Sequence, residues 1–171
     1  MKTKTTKSTA RRANTKGGPA LRGIKTILLP VDFSAPSQQA LAYAVPLAQQ
    51  FGAKLTLLNV VEPVATPDFA ASFPLAMEND EVMAASKREL ERFVKQAGVN
   101  PKLVEKLLVR FGRSYHEIAE AARTLKVDLI IISTHGYTGL KHAFLGSTTE
   151  RVVRHAPCPV LVVRERVTKS L

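Results

Sequence analysis

Four consecutive branched apolar residues, Leu129–Ile132, constrain the fold of this chain more than any other feature. The run is too short for a helix, and its lack of alternation predicts a strand buried on both faces of a sheet. A segment rich in glycine, serine and threonine follows, and Ser147-x-x-Glu150 then matches the capping box that begins many helices. The stretch therefore predicts a buried strand, a loop of small residues and the N-terminus of a helix.

Loops of this kind commonly bind anions. The first backbone N–H groups of a helix have no partner within it, and the helix dipole adds positive charge at the same place. Glycines such as Gly136 and Gly146 let the backbone approach a ligand closely or adopt a positive φ. The Ser147 hydroxyl could cap the helix, contact a phosphate or do both, and these alternatives stay open.

The remainder of the chain alternates short apolar runs with segments of helical periodicity. Strands are predicted at Ile24–Val31, Lys54–Val61, Leu103–Phe111, Leu129–Ile132 and Val160–Val163. Helices are predicted from an N-cap at Ser34 to Phe51, over Asp80–Ala97, from a capping box at Ser114-x-x-Glu117, and after Ser147. Such alternation indicates βαβ units with right-handed crossovers.

We therefore predict an α/β fold. It is a single doubly wound (Rossmann-like) domain with a five-stranded parallel sheet of order 3-2-1-4-5 and helices on both faces. Ligands of such sheets bind beyond the carboxyl ends of the strands at the switch point, which here lies between strands one and four. The topology therefore brings Asp32, at the end of the first strand, next to the loop 133–147.

The spacing of small residues in this loop resembles that of the universal stress protein family. The family's G-x2-G-x9-G-[S/T] pattern corresponds here to Ser133-x2-Gly136-x9-Gly146-Ser147, with Ser133 in place of the first glycine. The segments Ile27–Ser34 and Glu150–Val163 are also similar to the family's first strand and last helix and strand. The resemblance covers Lys25 to Arg164.

The resemblance implies an ATP site, with Mg²⁺ accompanying the phosphates. In ATP-binding members an Asp after strand one and a Val at the end of strand two hold the adenosine, while the glycine-rich loop holds the phosphates. Carried onto this sequence, the expected nucleotide-binding residues are Pro30, Val31, Asp32, Val60, Ser133, His135, Gly136, Gly146, Ser147 and Thr148. Asp32 could instead be a turn carboxylate. Ser133 could weaken phosphate binding or add a contact to it.

The resemblance also implies a function in the stress response. We expect a nucleotide-responsive regulatory module with at most slow ATP hydrolysis, acting as a homodimer that pairs through Pro159–Arg164. The alternative is a nucleotide-free dimeric protein-interaction module of the same family. Neither a Walker GxxxxGK[ST] nor an HExxH or GxSxG motif occurs in the sequence, so we assign no catalytic or metal-binding residues.

Composition separates the N-terminus from the rest of the chain. The formal net charge is +11, of which residues 1–22 supply +7 without a single Asp or Glu. We expect 1–22 to be a disordered basic tail and 23–171 to be the universal stress protein domain. The tail could contact nucleic acid through charge alone, but a solvated segment is the preferred interpretation. The single Cys158 favours a reducing compartment, the cytoplasm, and no apolar run is long enough to predict a membrane span.

Overall fold

A computed structural model describes residues 23–63, 80–134 and 145–164. The strands are β1 (Thr26–Pro30), β2 (Lys54–Val61), β3 (Val104–Phe111), β4 (Leu129–Ser133) and β5 (Val160–Val163). The helices are α1 (Ala35–Phe51), α2 (Asp80–Gln96), α3 (Ser114–Thr124) and α4 (Ser147–His155). A single 3₁₀ turn, Pro101–Leu103, precedes β3 because the Asn100 side chain accepts a hydrogen bond from the Lys102 N–H.

The five strands form one parallel sheet in the order β3-β2-β1-β4-β5, which confirms the predicted architecture. β1 pairs with β2 on one side and β4 on the other, so the direction of winding reverses between β1 and β4. β3 and β5 are the two edges of the sheet. In the described residues, no helix is both long enough and apolar enough to cross a membrane.

Alternate residues of the central strands serve two separate cores. Ile27 and Leu29 of β1 face α1 and α2, and Leu28 faces the opposite core with α3 and α4. All three side chains are fully buried. Helices therefore cover both faces of the sheet, as predicted, and the central strands are mostly apolar because neither of their faces meets water.

The predicted capping boxes at the starts of α3 and α4 are wrong. Ser114 and Ser147 are the first helical residues, and the capping positions belong to Arg113 and Gly146, neither of which makes a side-chain capping bond. At α3 the acceptor comes from another strand: a Glu62 carboxylate oxygen accepts a 2.7 Å hydrogen bond from the Ser114 N–H. An acceptor supplied across the fold removes the need for a local cap.

At α4 the helix entry is fixed by the backbone. The Gly146 N–H donates to the Thr134 carbonyl at 2.8 Å, and the Gly146 carbonyl accepts from the Glu150 N–H at 2.9 Å. Gly146 is thus bonded to the end of β4 and already accepts the first helical hydrogen bond, which places Ser147 inside the helix. By contrast, the Ser34 cap of α1 is confirmed, since its hydroxyl accepts from the Ser37 N–H.

Candidate functional site

A cavity of about 270 Å³ opens at the carboxyl ends of β1, β2 and β4, beside the N-termini of α3 and α4. Eight of the residues expected to bind nucleotide line it: Pro30, Val31, Asp32, Val60, Ser133, Gly146, Ser147 and Thr148. The remaining two, His135 and Gly136, lie outside the described residues. The switch point of the sheet therefore brings together residues that are more than a hundred positions apart in the chain.

Asp32 belongs to a tightly bonded turn. Its Oδ1 accepts hydrogen bonds from the Ser34 N–H at 3.1 Å and from the Ser34 hydroxyl at 2.5 Å. Phe33, between them, has a φ of +64°, which is a left-handed conformation that side chains rarely adopt. Its ring meets the edge of Phe93 at a centroid separation of 6.0 Å, and this packing holds the turn in place. Asp32 is therefore a turn carboxylate and a wall of the cavity at once.

A buried side-chain network holds the backbone just before Asp32. The Asn59 amide donates to the Val31 carbonyl at 2.7 Å, and the Asn59 oxygen accepts from the Ser86 hydroxyl of α2 at 2.5 Å. Asn59 is only 7% exposed, so its bond to Val31 is shielded from water, while its bond from Ser86 is partly buried. The sequence analysis missed this residue, although a polar residue within the apolar run of β2 was a signal for it.

The β4 side of the cavity is equally well bonded. The Thr149 hydroxyl donates to the Ser133 carbonyl at 2.8 Å, and the Thr134 N–H donates to the Val163 carbonyl of β5 at 3.0 Å. Ser133, Thr134 and Thr149 are all buried. Together with the bond between Gly146 and Thr134, these contacts hold the end of β4 against the start of α4.

Gly146 does not need the conformational freedom that the sequence analysis attributed to it. Its φ of −63° and ψ of 146° are open to any L-residue. Because glycine has no Cβ, another group, a ligand among them, can still approach the backbone closely at this position. Ser147 and Thr148 follow in the first turn of α4, where N–H groups without helical partners and the helix dipole favour an anion.

The cavity also contains residues that the sequence analysis did not predict: Leu58, Glu62, Ser114, Ile118, Ile132 and Thr149. Leu58, Ile118 and Ile132 add apolar surface to the cavity wall, and Glu62 adds a second carboxylate to that of Asp32. Glu62 was detectable from its place at the carboxyl end of the second strand. Within the described ranges, no group of three or more His, Cys, Asp or Glu side chains could hold a metal ion.

Comparison with known proteins matches this architecture. The model of the universal stress protein family matches residues 23–164. A universal stress protein of Thermus aquaticus is 40% identical over 144 residues, which span 82% of this chain and 98% of the relative.

Two solved structures have the same fold as this chain. UspA of Lactobacillus plantarum superposes with a TM-score of 0.68 at 33% identity, covering 82% of this chain and 98% of its own. A universal stress protein in complex with cAMP has a TM-score of 0.58 at 23% identity, covers 83% of this chain and 98% of its own, and so shows the shared fold. Because the family model and a well-matched relative both span most of the chain, this protein belongs to the universal stress protein family.

Proposed function

We propose that this protein binds an adenine nucleotide, ATP with Mg²⁺, in the cavity at the switch point. One observation carries the proposal: the end of β1 and the N-terminus of α4 line the same cavity of about 270 Å³. The cavity thereby combines apolar walls, a carboxylate and helix N–H groups, which suit a base, its polar edge and a phosphate respectively.

Each part of the nucleotide has a suitable part of the cavity. Val31 and Val60 offer apolar surface to the adenine ring, and the Asp32 carboxylate can accept a hydrogen bond from its amino group. At the other end, Gly146 allows the phosphates close to the backbone, and the first turn of α4 supplies N–H donors and the Ser147 and Thr148 hydroxyls. Mg²⁺ would be coordinated by the phosphate oxygens of the nucleotide, as is common for ATP.

The family context supports the ligand class and the role. A structural neighbour was solved with cAMP, an adenine nucleotide, although that ligand is a property of that protein. For this chain we propose a nucleotide-responsive regulatory module of the stress response that hydrolyses ATP slowly at most. The single cysteine suits the reducing conditions of the cytoplasm.

Calorimetric titration of ATP with Mg²⁺ tests the proposal. The parent is expected to bind with a Kd on the order of 1–100 μM, and Gly146→Val to lose binding at least tenfold. The Gly146 φ of −63° is one that an L-residue can adopt, and an unfolding curve of Gly146→Val that matches the parent would show that the loss reports steric exclusion of the phosphates. Gly23→Val is the matched control: its Cβ would have no neighbour within 4 Å, and it lies ahead of β1, away from the cavity.

A folded parent that arrives free of nucleotide and gives no heat with ATP would overturn the proposal. The nucleotide-free interaction module of the same family would then be the better description. Equal binding by the parent and Gly146→Val would move the phosphate site away from α4.

We further propose that the protein is a homodimer paired through Pro159–Arg164. β5 is an edge strand, and its Leu161 is 39% exposed, while Val153 of α4 is 46% exposed. An apolar strand edge that is open to solvent tends to pair with another chain.

Light scattering should give twice the chain mass for the parent, and Leu161→Glu should reduce the measured mass to that of the monomer. Val82→Glu, an equally exposed apolar position on α2, should leave the dimer intact. A monomeric parent at micromolar concentration would refute the claim.

A further inference from the structure

We propose that Glu62 reads the ribose of the bound nucleotide: its carboxylate accepts hydrogen bonds from the ribose hydroxyls and excludes nucleotides that carry a phosphate there. This inference rests on the proposed nucleotide site and names a determinant of its specificity. Glu62 is not one of the nucleotide-binding residues that the family resemblance implies.

The position of Glu62 follows from the sheet. It is the first residue after β2 (Lys54–Val61), and β2 is the neighbour of β1 on the side away from β4. In dinucleotide-binding doubly wound folds an acidic residue about 20 residues after the first turn accepts a hydrogen bond from the ribose 2′-hydroxyl, and a carboxylate at the end of the second strand could make the same contact here. Glu62 lines the same cavity as Asp32 and Gly146.

One oxygen of the Glu62 carboxylate is hydrogen-bonded to the protein backbone, and the other can accept a hydrogen bond from a ligand. Oε1 accepts a 2.7 Å hydrogen bond from the Ser114 N–H at the start of α3. Oε2 makes no hydrogen bond to any residue in the described part of the chain. A carboxylate anchored in this way is orientated in advance, so a ribose hydroxyl that donates to Oε2 does not have to order a mobile side chain.

The distribution of charge along the cavity favours one orientation of the bound nucleotide. Asp32 and Glu62 place two carboxylates at the β1–β2 end, whereas the α4 N-terminus attracts anions at the other end. Phosphates are therefore favoured at α4 and repelled at Glu62. A ribose with free hydroxyls fits between them, but one carrying a 2′-phosphate would place two like charges together.

The test compares nucleotide specificity in the parent, Glu62→Gln and Glu62→Ala by calorimetry. Probes are ATP, 2′-deoxy-ATP, 3′-deoxy-ATP, AMP and adenosine 2′,5′-bisphosphate. The parent should bind ATP roughly tenfold more tightly than at least one deoxy analogue, since a hydrogen bond to a charged group is lost. Glu62→Ala should abolish this preference, and Glu62→Gln should improve binding of the bisphosphate relative to AMP by roughly tenfold, because the repelling charge is gone.

Two controls separate ribose recognition from structural damage. Gln at position 62 keeps an acceptor for the Ser114 N–H, so the start of α3 remains capped. Glu105→Gln removes a carboxylate from the exposed start of β3, at the opposite end of the sheet, and should reproduce the parent's preferences.

The outcomes distinguish the two proposals. A parent that binds ATP with a ribose preference unchanged in both Glu62 variants overturns the inference and leaves the nucleotide site standing. A uniform loss of affinity for every probe, with unchanged ratios, also overturns it, because Glu62 would then only support α3. A parent that binds none of the probes overturns the nucleotide site and this inference with it.

Discussion

The side-chain amide of Asn59 donates a 2.7 Å hydrogen bond to the main-chain carbonyl of Val31, 28 residues earlier in the chain. The Asn59 oxygen accepts in turn from Ser86 of α2. This bridge connects the α2 helix, through β2, to the backbone that precedes Asp32. The geometry of the cavity therefore depends on a residue that does not itself line it.

Replacing this bridge should destabilise the fold. Asn59→Ala leaves the buried Val31 carbonyl without its side-chain donor, and it should lower the free energy of unfolding by about 2–3 kcal/mol. Ser86→Ala removes only the outer bond and should cost about 1 kcal/mol. Urea denaturation with a common m-value measures both. Equal costs for the two variants would contradict the assigned role of the Val31 bond.

The Asp128 carboxylate, immediately before β4, joins the start of that strand to the start of β1. Its Oδ2 accepts from the Lys25 N–H at 2.9 Å, the Thr26 N–H at 2.9 Å and the Thr26 hydroxyl at 3.0 Å. The hydrogen bond from the Lys25 backbone, with those from Thr26, outweighs partial burial and holds the pKa of Asp128 below its ordinary value of 3.8. These bonds favour the charged form in the folded protein alone.

Asp128 should therefore stabilise the protein in a pH-dependent way. Because its pKa is lower in the folded state, the contribution is complete well above pH 3.8 and is lost as pH falls through the folded pKa. Asp128→Asn should lower the free energy of unfolding by about 1 kcal/mol at pH 7, and the difference from the parent should shrink toward pH 3. Glu91→Gln on the exposed face of α2 controls for net charge. A pH-independent difference would show that the charge of Asp128 contributes nothing.

Three helices end in the same backbone motif with different residues. After α1 and α2 the left-handed position is Gly52 (φ +64°) and Gly98 (φ +63°), and after α3 it is Lys126 (φ +51°). In each case the next N–H donates five residues back, as from Val127 to the Ala122 carbonyl at 3.1 Å. This is the Schellman ending, in which glycine is favoured because it has no Cβ. Lys126 therefore carries conformational strain that glycine would relieve.

Lys126→Gly should raise the free energy of unfolding by about 0.5–1 kcal/mol, whereas Lys126→Ala should not. The reciprocal Gly98→Ala should lower it by about 1 kcal/mol through the backbone alone, because a Cβ there would meet no atom within 4 Å. Thermal and urea unfolding of the three variants provide the comparison. Stabilisation by Lys126→Ala equal to that by Lys126→Gly would refute the backbone explanation.

Cys158 should react slowly as a nucleophile. Burial against the α3–α4 core raises the pKa of its thiol above the ordinary 9.0, and the negative charge of Asp128 adds to the rise. Only the thiolate attacks, so alkylation of the folded protein at pH 7.5 should be at least tenfold slower than that of the urea-unfolded chain. Asp128→Asn should increase the folded rate slightly. Comparable folded and unfolded rates would show that the thiol is neither shielded nor shifted.

The sequence by itself determined the layers of this fold. The apolar run Leu129–Ile132 predicted a doubly buried strand, and helical periodicity after Ser34 predicted α1, because both signals come from residues close together in the chain. The switch-point rule then placed Asp32 beside the loop 133–147 without any knowledge of side-chain contacts. Their shared cavity is consistent with that placement, while their role in nucleotide binding stays a prediction.

The tertiary structure decided what local patterns could not. Ser114 and Ser147 match a capping motif, yet neither caps, because Glu62 in one case and the bond between Gly146 and Thr134 in the other satisfy the helix ends from elsewhere in the fold. Asn59 gains its partners 28 and 27 positions away. Hydrogen bonds between distant residues form only once the sheet has brought its strands together, so partners of this kind cannot be identified from spacing alone.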